Sequence, residues 1–226
     1  MSDLDDFYAL IDDLRRRVGG ERLLGDCHGR QGWPTRGVYF FFEPGETRAS
    51  GSPRVVRVGT HALKTGSKTS LWTRLSQHRG HVGGSRAGGG NHRGSVFRLH
   101  VGECLLGRDG DPLKLRDSWG RPIASSADES LHELAVSSHI RAMPFLFVPV
   151  LDEAGPTSAR ATIEAGAIAL LSARCNPGAD PASSSWLGQF STRAAIRESG
   201  LWNVQHVDGP PVDFLPILAA HVAMSG

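Results

Sequence analysis

Arg74 and His78 stand four residues apart in the segment Leu71 to Arg79, which follows Ser70 and reads as a helix. Positions i and i+4 share a helix face. A permanently charged guanidinium and an imidazole that titrates near neutral pH therefore lie one turn apart. The first can grip two phosphate oxygens and the second can move a proton beside them. Tyr39, in Gly37-Val38-Tyr39, offers a phenol. Phenols ionise near pH 10 and need a cationic neighbour to act as a base, whereas a neutral imidazole is ready near pH 7. Glu164 interrupts the apolar run Ala161 to Leu171 beside Ile168 and Leu171. A charge on a packing face costs several kcal/mol unless a cation or donors satisfy it, which favours a ligand role. Such a set suits hydrolysis of a phosphate ester. That reaction needs an aligned water, an acceptor for its proton, and positive charge where the oxygens gain negative charge.

The elements that must position these groups are short. Leu4, Phe7, Leu10, Ile11 and Leu14 recur at helical spacing until Gly19-Gly20, predicting an opening helix over 4–17. Val38 to Phe42 is an unbroken apolar run, expected to be a central strand buried on both faces. Arg54 to Gly59 is a second β-branched run, so the two are expected to form an antiparallel pair joined by a long loop over Pro44 to Pro53. Ser70 can cap a helix to Arg79 with Leu71 and Leu75 as its packing pair. Gly80 to Gly94 is glycine-rich and carries His81, Arg86, His92 and Arg93. Val96 to Leu106 alternates and is predicted to be a strand, Asp128 to Arg141 a helix, and Phe145 to Val150 a third buried strand. Thr157 or Ser158 caps a helix through about Ala173, ended by Asn176-Pro177-Gly178. A short helix at Trp186-Leu187-Gly188 and a last one near Asp213 to Ala223 complete the chain, which has no internal repeat.

Taken in order, Gly37-Val38-Tyr39, Arg57-Val58-Gly59, Arg74 with His78, and then Glu164 and Asn176 resemble the GIY-YIG nuclease superfamily. Its pattern is a GIY-type strand, a YIG-type strand, an R-x3-H or R-x3-Y helix, and a later helix bearing Glu followed by Asn. The resemblance covers roughly residues 35 to 180. Trp186-Leu187-Gly188 and Ser199-Gly200-Leu201-Trp202-Asn203 are similar to the C-terminal part of the restriction-endonuclease branch, and these tryptophans would equally serve to cover the core.

The resemblance implies a catalytic set of Tyr39, Arg74, His78, Glu164 and Asn176. Glu164 would hold a single divalent ion, Mg²⁺ or Mn²⁺, and either Tyr39 or His78 would be the general base. Asn176 would bond the substrate backbone or hold the site together, and it is also a natural helix C-cap. This chain departs from the pattern at Arg57, where the second tyrosine is expected. Arg57 is either a phosphate contact in place of the phenol or a surface arginine. His61 and Lys64 follow, where the family can carry a basic group. With Arg57, Arg86 and Arg93 they are the candidate DNA contacts. Arg86, His92, Arg93 and Arg98 all lie in an insert that would either follow phosphates and enter a groove or form a solvent loop.

Other signals are excluded by spacing. Gly66-Ser67-Lys68-Thr69 lacks the glycine that a phosphate-binding loop needs immediately before its lysine, and His132-Glu133 lacks the second zinc-binding histidine, since residue 136 is Val136. The 25 Lys and Arg against 23 Asp and Glu leave a net charge of +2, so any basic surface must be local. Cys27, Cys104 and Cys175 are odd in number and far apart, which excludes a fully paired disulfide framework and suits a reducing cytoplasm. No secretion signal or membrane span is evident.

These readings combine into an α+β fold, a small antiparallel sheet of about three central strands flanked by helices with an inserted strand and helix region. One domain over 1–226 is expected, with an N-terminal helix over 1–20, a core over about 35–80 and 144–180, an insert over about 80–143, and an extension over 181–226. The implied activity is metal-dependent hydrolysis of double-stranded DNA, most like the stand-alone restriction enzymes. No appended DNA-binding domain is recognisable, which argues against homing-type architecture. A repair or other defence nuclease, and a non-catalytic DNA-binding protein on a decayed site, are the alternatives. With one active site per chain, cutting both strands calls for a homodimer or sequential nicking.

Overall fold

The computed structural model describes residues 2–81, 88–121 and 127–226. Four strands, β1 (Arg22–Leu23), β2 (Gly37–Thr47), β3 (Pro53–Gly59) and β4 (Pro144–Pro149), form one antiparallel sheet in the order β1-β4-β2-β3. Seven α-helices are present among the described residues: α1 (Asp3–Arg17), α2 (Leu71–Arg79), α3 (Val96–Asp109), α4 (Ala127–Arg141), α5 (Ala159–Leu171), α6 (Ala194–Ser199) and α7 (Leu215–Ala223). This is the mixed α+β architecture that the strand and helix patterns predict. No described helix is long and apolar enough to cross a membrane.

The sheet is covered on both faces, which explains the unbroken apolar run of β2. Val38, Phe40 and Phe42 join Val55, Val58, Leu146 and Val148 in a core closed by α1, α5 and α7. Tyr39 and Phe41 point the other way, into a second core with Leu71, Leu75, Phe97, Val101, Val136, Ile140, Trp186 and Trp202. Alternate residues of one strand thus serve two cores.

Three expectations are corrected. Val96 to Leu106 is not a strand but most of α3. Ser95 caps it by accepting the Arg98 amide, and Gly110 ends it in the left-handed conformation. Phe97, Val101, Cys104 and Leu105 form a buried helical stripe that the local alternation concealed. The connection between β2 and β3 is short rather than long, because β2 runs on to Thr47 and only a tight turn over 48–52 remains. Buried Glu43 and Glu46 hold that extension: Glu43 accepts from both indole N–H groups of Trp186 and Trp202, and Glu46 pairs with Arg54 at 2.6 Å. Lastly, His92 and Arg98 are not on a solvent loop. Both are buried, Arg98 completely. Helix α6 and the two-residue β1 are elements the sequence patterns do not announce.

Candidate functional site

The central strand β2 places Tyr39 opposite Gly59 of β3, with the tyrosine wholly buried. Its phenol lies across the glycine so closely that a Cβ there would come within 2.4 Å of the phenol oxygen. The glycine of the second motif is therefore required by close approach of the ring. Gly59→Ala is expected to displace Tyr39 and lower the melting temperature, with DNA cleavage strongly reduced. Wild-type melting and turnover would show that the ring moves aside without cost.

Helix α2 brings His78 to Tyr39. Ser70 caps the helix, accepting the Thr73 amide at 3.1 Å, and the buried Leu71 and Leu75 pin it to the sheet. His78 Nε2 is then 2.9 Å from the Tyr39 oxygen, while Nδ1 is 2.7 Å from Ser95 Oγ. Burial, followed by the charges of Arg74, Arg57 and Arg98, holds the imidazole well below its usual titration range. At neutral pH it is an uncharged partner for the phenol.

Arg57 is buried rather than a surface arginine. Its guanidinium packs 4.6 Å from the centre of the Phe97 ring and donates to the Trp202 carbonyl at 2.8 Å. Burial works against its charge, as does Arg74, while Tyr39 and Glu164 favour it. Thus the residue standing in place of the second tyrosine supplies a cation beside the first. Arg74 is half-buried, and among the described residues its side chain donates only to Gln77 at 3.1 Å and the Gly94 carbonyl at 3.4 Å, which leaves donors in reserve.

Glu164 arrives from the opposite face of the sheet. Ser158 caps α5, and the Thr60 amide just beyond β3 donates to Glu164 Oε1 at 3.0 Å. Arg160, one turn earlier, fixes this junction by donating to the His61 carbonyl and to Asp152. Burial raises the Glu164 carboxyl above its usual range, opposed by Arg57, the Thr60 amide, His206 and Arg74. Arg57 and Arg74, whose charges also bear on His78, therefore bear on Glu164 as well.

Among the described residues no hydrogen bond brings Asn176 to this cluster. Its amide donates to the Leu170 carbonyl at 2.6 Å and accepts from the Gly178 amide at 3.0 Å, closing the end of α5. Leu170 is six residues beyond Glu164, about 9 Å along a helix axis. Asn176 instead lines a cavity of about 600 Å³ with Leu4, Gly166 and Phe214.

The asparagine that does touch the site strands is Asn203, which accepts from the Val58 amide at 3.1 Å and donates to the Val58 carbonyl at 2.8 Å. With the Trp202 amide bonded to the Val56 carbonyl at 2.8 Å, it lays this segment along β3 from Val56 to Val58. The Leu201-Trp202-Asn203 string marks this segment in the sequence, but its polar member carries no recognisable spacing.

Among the remaining candidates, His61 is buried with Nε2 3.2 Å from the Thr35 carbonyl. Burial first, then Arg160, Arg74 and Arg36, push it down to about 4. Lys64 is exposed, and Arg93 is exposed but paired with Glu129. Arg86 lies outside the described residues.

Among the described residues no three His, Cys, Asp or Glu side chains converge as a metal cage. Glu164 could hold a hard cation that keeps its own waters, such as magnesium, because among the described residues only one of its oxygens takes a protein hydrogen bond.

Neither the curated proteins nor the solved structures contain a match to this chain. A family model described as the GIY-YIG domain matches residues 1–225, well beyond the stretch from 35 to 180 that carries the motifs. The chain belongs to the GIY-YIG family of nucleases.

Proposed function

We propose that the protein is a Mg²⁺-dependent endonuclease acting on double-stranded DNA, of the stand-alone restriction type. The observation that carries this reading is the convergence of Tyr39, Arg57, Arg74, His78 and Glu164 at the β2–β3 edge. Glu164 would hold the metal, whose chemistry when bound is Lewis-acid stabilisation of the phosphate and leaving oxygen. Arg74, with free donors, clamps the scissile phosphate and meets its growing charge. Tyr39 orients and activates the attacking water. Arg57 and His78 steady the charge that gathers on its oxygen. Neutral His78 is better placed to hold the phenol than to store a proton, since three arginines oppose its protonation. The restriction assignment draws support from the 201–203 segment, which resembles that branch and is built directly onto the site strand.

The test is incubation of purified protein with supercoiled and linear duplex DNA in Mg²⁺, in Mn²⁺ and in excess chelator. Cleavage that needs the metal is expected. Binding without cleavage of any duplex would instead identify a non-catalytic DNA-binding protein.

A further inference from the structure

Arg22, Arg79 and Arg141 come from β1, the end of α2 and the end of α4, and they meet around the 3-10 turn Leu24–Asp26. Arg79 Nη2 donates to the Gly25 carbonyl at 3.4 Å. Arg141 donates through Nε to the Arg79 carbonyl at 3.0 Å and through Nη2 to the His81 carbonyl at 2.6 Å. The Arg22 guanidinium lies over two rings, 5.0 Å from the centre of Trp33 and 5.1 Å from that of Phe147. Trp33 stacks on Trp72, which shares a flank of α2 with Arg79 two turns on. Arg22 and Arg79 both bear on the Cys27 thiol, and Arg79 bears on Arg141.

What this cluster lacks is a counter-charge. All three arginines are half-buried, and among the described residues none lies within ion-pair distance of a carboxylate. Residues 82–87 and 122–126 contain no Asp or Glu to supply one, and Asp26, the acid of the turn, is exposed. Carbonyl oxygens satisfy donors without cancelling charge, and Arg79 Nε is buried with no acceptor among the described residues. The fully buried Arg54, Arg98 and Arg160 are different, each holding a carboxylate in Glu46, Glu133 and Asp152. Like charges gathered in a partly desolvated place oppose one another, and a polyanion relieves them.

Arg79 follows Arg74 by five residues, about 140° around the helix. The two therefore stand on opposite flanks of α2, and a helix is about 10–12 Å across, close to the width of the DNA major groove. The exposed ridge between them carries Thr73 and Gln77, and α2 contains no acidic residue to repel a backbone crossing it.

We propose that Arg22, Arg79 and Arg141 form a second phosphate-binding patch, which holds the backbone of duplex DNA away from the reacting phosphate while Arg74 engages that phosphate. The choice of ligand rests on the nuclease reading. Such a patch contributes affinity and register and carries no base recognition.

Fluorescence anisotropy of a labelled duplex, measured across a salt series with chelator present, tests the patch. Arg22→Gln, which gives up no hydrogen bond, is expected to weaken binding about five- to tenfold at low salt and to lower the salt slope by about 0.9. Arg22→Gln with Arg141→Gln should lower it by about twice as much, while Arg22→Lys keeps the slope. Arg16→Gln removes an exposed charge on α1 and should change nothing. In Mg²⁺ the patch variants should raise KM for cleavage with kcat little altered. Wild-type slopes in Arg22→Gln and the double variant would overturn the proposal and leave the nuclease reading standing. An equal loss in Arg16→Gln would overturn it too, since net charge alone would then account for the effect. If the double variant does not fold, Arg22→Glu decides, with binding expected to be weaker than in Arg22→Gln. Reduced slopes in a protein that binds duplex without cutting it would keep the patch and overturn the nuclease reading, and a wild type that binds no duplex would overturn both.

Discussion

Glu164→Gln is expected to abolish DNA cleavage in Mg²⁺ while leaving the fold and duplex binding intact. Glutamine keeps an oxygen for the Thr60 amide, which donates to Glu164 Oε1 in the wild type, so the junction of β3 and α5 retains its hydrogen bond. What is lost is the negative charge. If metal binding contributes about 4 kcal/mol of transition-state stabilisation, cleavage falls by about three orders of magnitude. Because burial already disfavours the ionised carboxyl, the neutral side chain should not lower the melting temperature. Single-turnover cleavage, gel-shift affinity and thermal melting of one preparation check all three points. Undiminished cutting would show that Glu164 holds no metal.

The second large effect is on stability. Arg98→Met is expected to cost about 3–5 kcal/mol, because it strands a carboxylate that is 3% exposed. Arg98 Nε donates to Glu133 Oε2 at 3.0 Å, and its Nη2 reaches the same oxygen, the Glu133 carbonyl at 3.0 Å and Ser137 Oγ at 2.9 Å. Among the described residues only His92 would remain on that carboxylate, through its amide at 2.6 Å and Nδ1 at 2.9 Å. For a chain of this size the loss corresponds to a melting temperature roughly 10 °C lower. The double variant Arg98→Met with Glu133→Leu should recover part of it, since the unpaired charge is then gone. A single variant that melts like the wild type would show that the pair contributes nothing net. DNA affinity measured against salt supplies a separate check: a phosphate contact at Arg98 would lower the salt slope by about one, and none is expected from a buried side chain.

That arginine illustrates how far the sequence can be read. Glycines around Arg86, His92 and Arg93 make the stretch look solvent-facing, and nothing local reveals that His92 and Arg98 turn inward to Glu133. Ion pairs between residues 35 and 41 positions apart leave no periodic trace. The same limit explains the misread strand over 96–106. Its alternation satisfies two periods at once, and the choice is made by Ser95 capping and by packing against α4 and the 3-10 turn at Leu187–Phe190.

Much of the candidate site, by contrast, is written in local order. The apolar run of β2, the glycine ending β3 and the i, i+4 spacing on α2 depend on short-range sterics and helix geometry, so Tyr39, Gly59, Arg74 and His78 stand out as candidates from the chain alone. Asn176 has the order expected of it, yet its amide is satisfied by its own helix end, and Asn203 is the asparagine bonded to β3. Sequence by itself located α1, α2, α4, α5 and the cores of β2, β3 and β4, because backbone preference and apolar periodicity act within a few residues. Tertiary structure alone decided that Arg57 becomes the cation beside Tyr39, that Glu164 reaches the Thr60 amide from the far layer, and that Ser95 meets His78. Those contacts join residues distant in the chain, and burial sets the charge that each can carry.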